Sequence, residues 1–117
     1  MTKHPELDIM VLMKDYEITL SANDAPITLS GFPKDFLINV TLGAASSLKG
    51  VNEIETLELT LRFGKVKMAV NGNPIPLVPF PTLIIGRTLI AIVSTLKGVE
   101  GDVNSLEIKM GKKVLQA

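Results

Sequence analysis

The chain has 117 residues, 46 % of them apolar, with one Tyr, four Phe and no Trp, which fits a single domain with an aliphatic core. It has no Cys and one His, His4, so a thiolate nucleophile, an iron–sulfur cluster and a structural zinc site are excluded or nearly so, and no cofactor is implied. Twelve basic residues balance twelve acidic ones, and with so few aromatics this argues against nucleic acid as a partner, whether held along duplex phosphates or by base stacking.

The charge is unevenly spread. Residues 1–59 hold four Lys and nine Asp or Glu, a net of −5, and residues 60–117 hold eight Lys or Arg and three acids, a net of +5. The plain reading is that the two halves attract each other within one domain.

His4 lies near the chain start without a partner group, which makes it a poor base or ligand. Residues 7–13 read as a strand. Its apolar part, Ile9 to Met13, is too short for a signal-peptide core and follows Glu6 and Asp8, so a cytoplasmic protein is expected. Residues 16–22 form the next strand, with Ile18 and Leu20 on one face and Glu17, Thr19 and Ser21 on the other. Asn23-Asp24 then reads as a two-residue hairpin turn, followed by a short strand at 26–30 and a helix at 33–49. Pro33 suits the first helical turn, Phe32 can staple against the next turn, and Gly50 supplies a left-handed position at the far end.

The pattern then returns. Leu57, Leu59, Leu61 and Phe63 alternate with Glu58, Thr60 and Arg62 over a strand at 54–63. A second strand at 65–71 alternates Val66, Met68 and Val70 with Lys65 and Lys67. Asn71-Gly72 is a strong hairpin signal, because both central residues of a type I′ turn need positive φ. A short strand at 75–78 and a helix at 82–97 follow, with Pro81 and Gly98 in the places of Pro33 and Gly50. Pro26-Ile27-x-Leu29-x-x-Phe32-Pro33 matches Pro74-Ile75-x-Leu77-x-x-Phe80-Pro81. Residues 23–51 and 71–99 share 11 identities in 29 gapless positions, where unrelated segments would share roughly two. A tandem β-β-β-α duplication with an offset of 48 residues is therefore expected, repeat 1 covering about 7–51 and repeat 2 about 55–99. Two last strands, at 103–110 and 112–116, complete the chain, with Gly111-Lys112 as their turn. The expected fold class is α+β: one two-layer domain, a mostly antiparallel sheet with two helices on one face, related by a pseudo-twofold axis.

The stretch from Pro74 to Leu96 carries Arg87 as its only charge, long enough to raise a membrane span. Four prolines in its first third, the mid-run Arg87 and the polar sister segment with Lys34, Asp35 and Asn39 all argue against one. The second helix is instead apolar nearly all round, and the sheet can cover only one side, so either the sister helix or another subunit must cover the rest. Met10 and Leu12 match polar Glu58 and Thr60, which makes the first strand apolar on its outer face too. Met10, Leu12, Ile85 and Ile92 are the expected interface residues of a homo-oligomer, a twofold dimer by preference.

Candidate chemistry is sparse. Arg87, which replaces Asn39 of the first copy, is the sharpest single candidate for clamping a carboxylate or phosphate; an Arg reaching water or an acid is the plainer reading. The helix starts at Pro33 and Pro81 are generic anion sites, without a Gly-rich phosphate loop. Asp15 with Glu17, and Glu53 with Glu55, are neighbours in sequence only. Arg62, Lys65, Lys67, Lys109, Lys112 and Lys113 gather basic charge that Glu58 and Glu107 interrupt. The sequence thus favours a non-enzymatic oligomeric or partner-binding domain. A small anionic-ligand site or enzyme between the helices, anchored by Arg87 and Asn39, is the alternative, and a phosphate-backbone binder comes third.

Overall fold

The computed structural model describes residues 16–48, 50–77 and 79–113. The alternating segments form strands β1 (Tyr16–Ala22), β2 (Ala25–Ile27), β3 (Thr56–Arg62), β4 (Lys65–Val70), β5 (Asn73–Ile75) and β6 (Ser105–Lys112). The two apolar runs form helices α1 (Gly31–Ser46) and α2 (Pro79–Val93). The strands make one six-stranded antiparallel sheet of order β2-β1-β6-β3-β4-β5. The class is α+β.

Period-two alternation decides which face is dry. The register sets Leu20 beside Ile108, Ile108 beside Leu59, and Leu59 beside Met68. Every member of this row is buried, Ile108 completely. Residues paired across a ladder point to one side, so Ile18, Leu57, Leu61, Val66, Val70, Leu106 and Met110 share that dry face. Leu37, Ile38, Ala45, Ile85, Leu89 and Val93 of the helices belong to the same core cluster, so both helices cover this face. The other face carries Glu17, Thr19, Glu58, Lys65, Lys67, Glu107 and Lys109, all exposed. Lys109 lies beside Thr19 and Glu58 in the ladder and 3.8 Å from Glu107. This is the mixed-charge face expected from the interruption by Glu58 and Glu107, with Arg62, Lys65, Lys67 and Lys109 spaced by acids.

The hairpins follow their turn residues. Asn23 and Asp24 have φ of 50° and 66°, Phe63 and Gly64 47° and 83°, and Asn71 and Gly72 53° and 81°. Two residues with positive φ match the right-handed twist of the flanking strands. Both prolines that open the expected helices fall in first turns, at the third position of α1 and of α2. The first four N–H groups of a helix have no partner in it, so a proline there forfeits no bond.

Several boundaries differ from expectation. The short strands are 25–27 and 73–75 rather than 26–30 and 75–78, because pairing resumes directly after each two-residue turn. Helix α1 starts at Gly31 and ends at Ser46, and α2 starts at Pro79 and ends at Val93. Gly50 and Gly98 do adopt positive φ, 84° and 89°, but in the turns that follow the helices, where Val51 and Val99 N–H groups donate to Leu48 and Leu96 carbonyls. The chain does not turn at Gly111-Lys112. Strand β6 runs through both residues, held by β1 and β3 on either side and by the Lys112 N–H donating to the Glu55 carbonyl at 2.8 Å. The place beside β1 belongs to β6; the expected strand at 7–13 lies outside the described residues, as do Met10, Leu12, His4 and residues 114–117.

At 15 residues, α2 spans about 22 Å, and among the described residues no helix is long and apolar enough to cross a membrane. Gly86 of α2 sits where an added Cβ would lie 3.1 Å from Leu61 Cδ1 and 3.4 Å from Val66 Cγ2, so the helix backbone approaches the sheet closely at this point.

Candidate functional site

A groove of about 710 Å³ lies between the start of α1 and the end of α2. Its walls are Leu29, Phe32, Pro33 and Phe36 on one side and Ala91, Ile92 and Leu96 on the other. The helical period places them. Phe32 and Phe36 are four residues apart on α1 with ring centroids at 5.5 Å, and Ile92 near the end of α2 and Leu96 in the turn after it have the same spacing. Polar groups enter from the loops: Thr28 and Ser30 before α1, Thr95 and Lys97 after α2. Ser30 is the N-cap residue of α1, yet its hydroxyl makes no capping bond. Thr95 donates to the Ile92 carbonyl at 2.7 Å. Lys97 is exposed and, among the described residues, is the only charged side chain of the lining. Among the described residues no carboxylate, imidazole or thiol lines the groove, so the arrangement offers an apolar bed with one cationic group rather than an acid–base pair.

Arg87 and Asn39 are both exposed, and neither lines the groove. The structure does not gather them into one cavity. Ile85 is turned inward and is 6 % exposed, spent on the core beneath α2. Ile92 is half-buried at the groove. The residues of α2 that reach outward are its neighbours Leu83 and Ile84, 46 % and 48 % exposed. Phe32 at 75 % and Phe36 at 42 % do the same for α1. Sequence reasoning missed the groove. The signal was the paired i, i+4 apolar residues at one end of each helix, which local periodicity cannot bring together.

A second cavity, about 270 Å³, is lined by Tyr16, Leu42, Ser46, Asn52, Glu53, Ile54 and Lys112. Tyr16 donates its buried hydroxyl to the Ile54 carbonyl. Lys112 Nζ donates to Glu53 Oε1 at 2.9 Å. That bond, and next to it the ammonium charge, holds the Glu53 carboxyl below the usual glutamate range. The same bond raises Lys112. Arg62 and Asp24 form another ion pair at 3.2 Å. Both pairs join an acid of the first half to a base of the second, so some of the opposed charge is satisfied within the chain. Among the described residues no cluster of His, Cys, Asp or Glu could hold a metal ion.

No protein-family profile matches the chain, and comparison with curated proteins and with solved structures finds no similar one.

Proposed function

We propose that the chain is a non-enzymatic, cytoplasmic domain that assembles with a second copy of itself through its helical layer. The observation that carries this reading is where the exposed apolar residues lie. Of the five large exposed apolar residues among the described ones, Phe32, Phe36, Leu83 and Ile84 belong to the two helices; the fifth, Phe63, is 83 % exposed in the β3–β4 turn. The sheet offers little competing surface. Its outer face is charged, and its edge strands β2 and β5 are three residues long with a proline in each, Pro26 and Pro74. Short, proline-bearing edges resist strand-to-strand pairing. A twofold contact needs one self-complementary patch, and the helical layer supplies both apolar residues and opposite charges, Asp35 on α1 and Arg87 on α2, both exposed. The expected interface thereby moves from Ile85 to Leu83 and Ile84.

A duplication underlies this architecture in our reading. The sheet order reads the same from either edge if β6 stands for the first unit where β3 stands for the second. The Leu59–Ile108 pair then lies on the axis, with β1 over β4, β2 over β5 and α1 over α2. The 11 shared identities and the common hydrogen bonding of Asn23 and Asn71 support it.

The double variant Leu83→Glu, Ile84→Glu tests the assembly. We expect it to stay folded by circular dichroism and to halve the mass seen in solution. A folded double variant that keeps the mass of the natural chain would overturn the choice of surface. The alternative, a small anionic ligand, is favoured by one separate observation, the cationic groove.

A further inference from the structure

We infer that the groove between the start of α1 and the end of α2 is a binding site for an amphipathic carboxylate: an unbranched hydrocarbon chain ending in a carboxylate group. Three properties of the groove select this class. The first is size, since about 710 Å³ falls within the range of natural small-molecule sites, roughly 300–1,000 Å³. The second is the segregation of its lining. Phe32, Pro33, Phe36, Ala91 and Ile92 make an apolar wall on the helices, whereas the polar residues Thr28, Ser30, Thr95 and Lys97 all come from the flanking loops, with Leu29 and Leu96 between them. A ligand with one apolar body and one polar end matches that division, and a ligand polar along its length does not. The third is charge. Among the described residues Lys97 is the sole charged lining residue and forms no ion pair, so the groove attracts an anion and repels a cation. The hydroxyl of Ser30, which makes no capping bond, adds a donor from the loop before α1. This site is separate from the outward residues Leu83 and Ile84, neither of which lines the groove.

Lys97 matches Lys49 of the first copy, and Ala91 and Ile92 match Gly43 and Ala44. The larger side chains at the end of α2 give this end of the helical layer its apolar wall. The duplication thus supplies two related ends with different linings, which is how one of them can have become a site.

The test uses the natural chain and sodium dodecanoate below its micelle concentration, followed by calorimetry and by amide chemical shifts. Binding should move the resonances of Phe36, Ala91, Ile92 and Lys97. Dodecanol and dodecyltrimethylammonium, with the same chain and a neutral or cationic end, should bind at least about tenfold more weakly. The variant Lys97→Glu should lose about tenfold for dodecanoate and not for dodecanol. Ala91→Trp, placed in the groove from an exposed helix position, should block all three. The Leu83→Glu, Ile84→Glu variant should bind as the natural chain does, which separates this site from the assembly surface. Equal affinity for the three head groups would overturn the inference, as would shifts confined to residues outside the groove, or no binding at all.

Discussion

Asn23 and Asn71 make the same four hydrogen bonds. The Asn23 N–H donates to the Ser105 carbonyl, its Oδ1 accepts from the Asn104 and Ser105 N–H groups, and its Nδ2 donates to the Asp102 carbonyl. Asn71 does the same with the Thr56 carbonyl, the Glu55 and Thr56 N–H groups and the Glu53 carbonyl. Both backbones are left-handed, with φ of 50° and 53°. Each asparagine therefore ties a hairpin turn to the entry of a central strand, β6 or β3. We expect Asn23→Ala and Asn71→Ala each to lower stability by about 1–3 kcal/mol, because three bonds to the amide vanish and a residue disfavoured at positive φ replaces one that tolerates it. The two share no partner, so the effects should add. Urea unfolding of both single variants and the double variant measures this; one severe and one silent variant would speak against equivalent roles.

Thr41 of α1 is fully buried, and its Oγ1 has no hydrogen-bond partner among the described residues. An unsatisfied buried hydroxyl destabilises, and Val has nearly the same shape without it. Thr41→Val should raise stability by about 1 kcal/mol. Denaturant unfolding decides it, and a loss of stability would mean that the hydroxyl does have a partner in solution.

Gly86 marks where α2 comes closest to the sheet. A methyl there meets Leu61 at 3.1 Å, which offsets the gain of about 1 kcal/mol that Ala brings to a helix. Gly86→Ala should thus be nearly neutral. Gly86→Ile, which copies Ile38 of α1, overpacks the site and should cost about 1–3 kcal/mol. Thermal melts of the two variants give the comparison, and an Ile variant as stable as the Ala variant would contradict the close approach.

How much of this was legible in the sequence follows from the range of each interaction. The strands β1, β3, β4 and β6 and both helices were readable, because alternation and proline punctuation are local. The inward positions Ile18, Leu59, Met68 and Ile108 were readable for the same reason. The insertion of β6 between β1 and β3 was not, since its partners are about 90 and 50 residues away in the ladder and no local pattern encodes the choice. Ile85 was misjudged as outward because a helix apolar on most sides does not say which side meets the sheet. The groove depends on where α1 and α2 lie on the sheet, which no local pattern encodes either.

The Glu53–Lys112 pair makes a pH statement. Glu53 is held below its ordinary range, first by the hydrogen bond from Lys112. Its contribution is therefore full above the ordinary glutamate value and lost as pH falls through the depressed one. Lys112 is raised, so its contribution is full below the ordinary lysine value and lost as pH rises through the raised one. Carbon-detected NMR titration of the Glu53 carboxyl should show a low midpoint that moves up in Lys112→Met. A midpoint unmoved by that substitution would show that the pair does not hold in solution.

Assembly through the helical layer is tested most directly by the mass of the natural chain in solution. Multi-angle light scattering at micromolar concentration should give about twice the chain mass of 12.6 kDa. Leu83 and Ile84 would then be protected from solvent relative to the single chain. A mass of one chain that persists as the concentration is raised to the millimolar range would contradict the account.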